Sequence, residues 1–277
     1  MPVLGLGLGL QRNWDGGAAE SSTQPVHQRA MIPHAAQHDE VVRALKAMGN
    51  PALGEAIRRD RGSGLQHLGI RFPALRARVK QGFSFSGLPP AQVLATWDAL
   101  WRQSPYGDVL FAALEFYAPI VRKQVAPALW PVLRHWHERV DNWCHSDALS
   151  AHYSRLLEAD FEAVYPQLQA WNAAPGLWQR RLSLTSLIHY SGRHAVFLTP
   201  QAMLPLLAHC VADHRPYVAL ALGWVLRELG QVHPEAVDGF LEQHAAALDA
   251  RAFARTLERR TPPQRAHWVA TRKEALK

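Results

Sequence analysis

The chain has 277 residues, 48% of them hydrophobic, and a formal net charge of +7. That apolar share excludes a mainly disordered protein. Two cysteines, Cys144 and Cys210, exclude a disulfide framework or a cysteine zinc set, and no apolar stretch of about 18 residues is present to span a membrane as a helix. Residues 1–35 balance Arg12 and Arg29 against Asp15 and Glu20, so the whole positive excess sits on residues 36–277. A basic folded body suits a polyanionic partner, because phosphate binding releases counterions. The bases are 25 Arg and only 5 Lys. Arg forks onto phosphates and stacks on rings, although a GC-rich genome accounts for the bias equally well. The N-terminus has neither a positive n-region nor a continuous apolar core, so a cytoplasmic protein of a reducing compartment is expected.

Residues 1–35 are rich in Gly, Ser, Gln and Ala without a period, and are expected to form a flexible tail ahead of one domain over 36–277. The fold should begin near His38, where Val41, Val42, Leu45 and Met48 recur at helical spacing. Gly49-Asn50-Pro51 punctuates the next junction. Pro89-Pro90 opens a helix through Val93, Leu94, Trp97, Leu100 and Trp101. A further helix starts at Asp141, its expected cap, and runs through Leu149, Tyr153, Leu156 and Leu157. Leu177 to Tyr190 is read as one helix ending before Gly192. Pro216, Pro234 and Pro262-Pro263 open three more, since proline fits a first turn where its missing N–H would lack a partner. No alternating β-branched run bounded by hairpin turns appears. Trp97, Trp136, Trp178 and Trp224 lie 39, 42 and 46 residues apart, near the period of roughly 40–47 residues of helix-pair repeats. The expectation is an all-α superhelix of HEAT-like repeats with a concave basic face.

Four segments carry a more specific signal. They are Leu68-Gly69-Ile70-Arg71-Phe72-Pro73-Ala74-Leu75-Arg76, Asp141-Asn142-Trp143-Cys144-His145-Ser146-Asp147, Leu177-Trp178-Gln179-Arg180-Arg181, and Ala221-Leu222-Gly223-Trp224-Val225-Leu226-Arg227-Glu228. In order and spacing, over roughly residues 40–260, they resemble the AlkD family of alkylpurine DNA glycosylases, the DNA alkylation repair enzymes built from HEAT-like repeats. The resemblance implies that Trp143, Trp224 and Asp147 surround the deoxyribose of a damaged nucleotide, and that Arg181 lies near the DNA backbone; Arg227 and Arg71 are taken as further DNA contacts. It also implies a monomer acting on duplex DNA with alkylated purines, cleavage with the base left in the duplex, and no cofactor. Two departures stand out. Arg71 replaces a neutral polar residue, and Arg58, Arg59, Asp60 and Arg61 occupy a region where the family places an aromatic.

The chemistry agrees with these residues. A purine alkylated at N3 or N7 is cationic and leaves without a strong general acid. Positive charge then develops on the sugar, where a carboxylate stabilises it and holds the attacking water. Aromatic faces contact a cation favourably by roughly 0.5–2 kcal/mol each. Trp143 and Asp147 are four apart and share a helix face. Base release that also cuts the strand needs an amine nucleophile. None of Lys46, Lys80, Lys123, Lys273 and Lys277 falls in the four segments, so release without strand cleavage is expected. Plainer readings stand beside these. The tryptophans are core residues, as Trp97, Trp101, Trp136 and Trp178 are taken to be; Asp147 is a surface group; Arg227 pairs with Glu228; Cys144 is a small buried hydrophobe. His135, His137 and His145 lack metal-ligand spacing. A catalytically silent DNA-binding repeat protein and a protein-interaction scaffold are the alternative functions.

Overall fold

The computed structural model describes residues 34–123, 127–190 and 194–277. Residues 1–33, Gly192 and their expected roles as tail and helix stop lie outside the described residues. The helices are α1 (Ala35–Lys46), α2 (Pro51–Arg61), α3 (Phe72–Gln81), α4 (Pro90–Gln103), α5 (Gly107–Arg122), α6 (Trp130–Leu133), α7 (Trp143–Ala159), α8 (Phe161–Ala173), α9 (Leu177–Thr185), α10 (Pro200–His209), α11 (Pro216–Val232), α12 (Pro234–His244), α13 (Ala250–Thr256) and α14 (Pro262–Ala275). Short 3-10 turns at Pro127–Leu129 and Trp136–Arg139 flank α6. Among the described residues no strand forms, and two isolated bridges, Gln66 with Tyr106 and Ile188 with Val196, are the only β pairing. No helix there is long and apolar enough to cross a membrane.

Proline sits in the first turn of α2, α4, α10, α11, α12 and α14, as its lost N–H and fixed φ favour. The helix expected over Leu177 to Tyr190 is shorter than expected. It stops at Thr185, and His189 instead pairs its N–H with the Ala195 carbonyl, so Tyr190 stands on a connection.

The helices pack in two layers. In one, α3, α5, α7, α9, α11 and α13 each pack on the next; in the other, α4, α8, α10 and α12 back them. This is an all-α superhelix of helix pairs, each repeat burying its face against its neighbours. Trp97, Trp101 and Trp136 are fully buried as expected. Trp101 stacks on Trp136 at 4.4 Å, and the Trp136 indole N–H donates to Asp98 at 2.8 Å. Trp178 is only half-buried, with its ring against Tyr217 at 5.1 Å. The four evenly spaced tryptophans therefore occupy unlike places: a helix of the second layer, a 3-10 turn and two helices of the first.

Two local devices fix the start of α7. Asn142, not Asp141, is its cap, accepting from the backbone N–H groups of Cys144 and His145, both at 3.0 Å. Asp141 turns away from the helix and accepts from the Ser63 hydroxyl and the Gly64 N–H, both at 2.8 Å, tying the α2–α3 loop to α7. Burial works against that carboxylate, but these bonds, with that from the Asn142 amide and the nearby His145 ring, hold it well below the usual carboxylate range. The Leu68-Gly69-Ile70 turn is equally constrained. Asp108 accepts from the Leu68 N–H at 2.6 Å. Gly69 has φ +76°, and a Cβ there would lie 2.1 Å from the Asn50 carbonyl oxygen. Gly69→Ala therefore combines left-handed strain with a backbone clash, and should lower stability by about 2–4 kcal/mol in chemical denaturation. A loss under about 0.5 kcal/mol would contradict this account of the turn.

Candidate active site

Trp143 opens α7, half-buried, and Asp147 follows one turn later on the same face. Asp147 is 8% exposed. Its Oδ1 accepts two hydrogen bonds from Arg181 on α9, from Nη2 at 2.7 Å and from Nε at 3.0 Å. Its Oδ2 accepts none among the described residues, and the side chain keeps 11% exposure. The carboxylate is thus held by one oxygen and presents the other. Burial pushes the Asp147 carboxyl above its ordinary range, and the Arg181 guanidinium pulls it partly back.

Arg181 is 6% exposed. Its remaining arm donates to the Tyr217 carbonyl on α11 at 2.6 Å. The structure places Arg181 behind the carboxylate as its partner, rather than open on the surface. Trp224 on α11 is 9% exposed and meets the Tyr190 ring edge-to-face at 5.2 Å and 89°. Close packing positions this helix. A Cβ on Gly223 would lie 2.5 Å from the Ala252 carbonyl oxygen, so glycine lets α13 press against α11 beside Trp224.

The other two expected contacts sit elsewhere. Arg227 points its guanidinium to Glu228 at 2.9 Å and to Glu258, and is mostly buried. Arg259 completes this cluster on Glu228 at 2.7 Å. Arg71 is exposed at the N-cap of α3, with α5 between that helix and α7. The structure therefore pairs Asp147 with Arg181, sets Trp143 one turn before Asp147 on α7 and Trp224 against Tyr190, and holds Arg227 in an ion-pair cluster and Arg71 two helices along the layer.

Two residues escaped the sequence reading. Tyr190 is 45% exposed; burial and then the Asp147 charge push its phenol up, which places it in the same electrostatic environment. Arg255 on α13 shares that environment with Asp147, Arg181 and Arg227. No motif marks either residue, since each reaches the site through packing of a later segment. Cys144 is half-buried, and burial raises its thiol to about 11, so it is protonated at neutral pH and no nucleophile. His145 donates from Nε2 to the Gly107 carbonyl at 3.0 Å and accepts at Nδ1 from Asn142 at 2.7 Å, a structural role. Among the described residues no group of three or more His, Cys, Asp or Glu is arranged to hold a metal ion.

This geometry can be set beside known proteins. Residues 41–258 match the family model for DNA alkylation repair enzymes, and the chain belongs to that family. No curated protein matches the sequence significantly. Among solved structures, a protein of Enterococcus faecalis described as a predicted DNA alkylation repair enzyme superposes with a TM-score of 0.62 at 15% identity, over 78% of this chain and 98% of that one. Pseudomonas fluorescens alkylpurine DNA glycosylase AlkC, bound to DNA containing an abasic site analogue, superposes with a TM-score of 0.52 at 17% identity, over 84% of this chain and 66% of that one. At these identities the structural likeness establishes the shared helical fold.

Arg181→Gln leaves a buried carboxylate without its cation and should destabilise the protein by about 3–5 kcal/mol at neutral pH. The sign with pH follows from the raised Asp147 carboxyl. Protonation removes the uncompensated charge, so the deficit should shrink as pH falls through that value and return as pH rises. A deficit independent of pH between 4 and 8 in thermal melts would contradict the pairing.

Proposed function

We propose that the protein is a monofunctional DNA glycosylase that hydrolyses the N-glycosidic bond of cationic N3- or N7-alkylated purines in duplex DNA. The observation that carries this reading is Asp147, a buried carboxylate fixed through Oδ1 by Arg181 while Oδ2 accepts no hydrogen bond among the described residues, with Trp143 one turn before it on the same helix face. As the base departs with its electron pair, positive charge grows on the deoxyribose. An anion already oriented by a buried partner stabilises that charge without reorganising. The open Oδ2 also accepts a hydrogen bond from the water that attacks the anomeric carbon, and takes its proton as the new C–O bond forms. Trp143 and Trp224 pack on the sugar and keep bulk solvent away, which strengthens the electrostatic effect. Tyr190 adds a third ring. The leaving base carries its own positive charge, so the site needs no strong acid, and none of the groups around Asp147 supplies one.

Release without strand cleavage has structural support. Lys46, Lys80 and Lys123 belong to α1, α3 and the end of α5, and Lys273 and Lys277 to α14 and the residues after it, so no amine stands on α7, α9, α11 or α13. The DNA-bound neighbour and the family both support a DNA partner, here taken as double-stranded, and the protein is expected to act as a monomer.

Incubation with duplex DNA carrying N7-methylguanine should release the free base and leave abasic sites in an uncut strand. Folded protein that releases none would sink the reading. Asp147→Asn should lose about a hundredfold or more in single-turnover rate while still binding the duplex. The raised Asp147 carboxyl further places the acid limb of the pH–rate profile above the ordinary carboxylate range, because activity requires the ionised form. Tyr190→Phe should keep near wild-type rates, whereas Tyr190→Ala should lose about three- to thirtyfold, as removal of one cation-contacting ring implies. Equal rates for the Phe and Ala variants would remove Tyr190 from the site.

A further inference from the structure

Arg255 has a position and a set of unmet bonds that the reaction as described leaves unused. It lies on α13, where that helix presses on Gly223 next to Trp224; a Cβ on Gly223 would be 2.9 Å from the Arg255 Cβ. Its side chain is 21% exposed. The nearest carboxylate, Glu258, stands 3.6 Å from Nη1, too far for a good hydrogen bond, and Glu258 already holds Arg227. Its Nε is buried without a partner, and none of its N–H groups donates a hydrogen bond among the described residues. Arg181 and Arg227 beside it each donate three.

The local charges point the same way. Arg181 answers Asp147. Arg227 and Arg259 answer Glu228, and Glu258 is shared between Arg227 and Arg255. Four guanidiniums thus face three carboxylates, and Arg255 is the one that donates no side-chain hydrogen bond among the described residues. A buried donor without a partner implies an absent acceptor, and a planar fork of N–H groups fits a phosphate. A nucleotide whose sugar meets Asp147 brings its flanking phosphates towards the same carboxylate, and a guanidinium with open donors there offsets that repulsion.

We propose that Arg255 binds a non-bridging phosphate oxygen of the DNA strand next to the nucleotide held by Asp147 and Trp224. The proposal rests on reading this site as one that holds a nucleotide; it does not require base release.

The test uses the full chain and a duplex carrying a tetrahydrofuran abasic nucleotide, with Kd measured from about 50 to 300 mM salt. Arg255→Gln should reduce the slope of log Kd against log salt by about 0.9, the amount expected for one phosphate contact, and weaken binding about tenfold at the lowest salt. Arg255→Lys keeps the charge but loses the fork, so it should retain the slope and bind about threefold more weakly. A wild-type slope in Arg255→Gln overturns the proposal, including the case where only Tm falls, because a purely structural Arg255 changes Tm and not the slope. If Arg255→Gln does not fold, wild-type affinity in Arg255→Lys overturns it. Failure of wild-type protein to release N7-methylguanine removes the glycosylase reading and leaves this comparison standing.

Discussion

One guanidinium sets the geometry of the site. Arg181 reaches from α9 to Asp147 on α7 with two arms and to the Tyr217 carbonyl on α11 with the third. Burying an ion pair is favourable only when the partners' donors and acceptors are met. Here each nitrogen of Arg181 donates a hydrogen bond, while one oxygen of Asp147 accepts none among the described residues. That asymmetry is hard to justify by stability alone, since a fully bonded or apolar pair would serve the fold better. It is what a site needs when a carboxylate must be ionised, immobile and available.

The layered stack makes the arrangement possible. Because α7, α9, α11 and α13 pack in succession, residues far apart in sequence come to one place at the same level of the layer. Small residues then adjust the spacing. Gly223 removes the one Cβ that would hold α13 away, and so lets Ala252 and Arg255 of α13 press against α11. The same packing explains why a chain of net charge +7 buries several of its arginines. Arg181, Arg227 and Arg260 pair with Asp147, Glu228 and Asp238 inside the array, so the count of Arg overstates the charge available to a polyanion.

Much of the fold was legible because proline and helical periodicity act locally. Prolines at 90, 216, 234 and 262 each mark a first turn, as read, and Pro51, read as punctuation, marks another. Distinguishing Asn142 from Asp141 as cap was not possible, because both are good cap residues and the choice depends on Ser63 and Gly64, far away in sequence. The helix expected to reach Tyr190 stops at Thr185, where pairing of Ile188 with Val196 takes over. The tryptophan spacing suggested the right architecture for an incidental reason, since the four rings are not equivalent. At the site, Trp143 with Asp147 could be read from a four-residue step, whereas the Asp147–Arg181 pair, Tyr190 and Arg255 depend on which helices become neighbours.

The central claim is electrostatic: a held carboxylate stabilises positive charge on a sugar. It is tested most directly by comparing affinities for two duplexes, one with a neutral tetrahydrofuran abasic nucleotide and one with its cationic pyrrolidine counterpart. The account predicts that wild-type protein binds the cationic duplex at least about tenfold more tightly, as expected when charge resembles the transition state, and that Asp147→Asn loses that preference. Equal affinity for both duplexes, or a preference unchanged by the substitution, would contradict it.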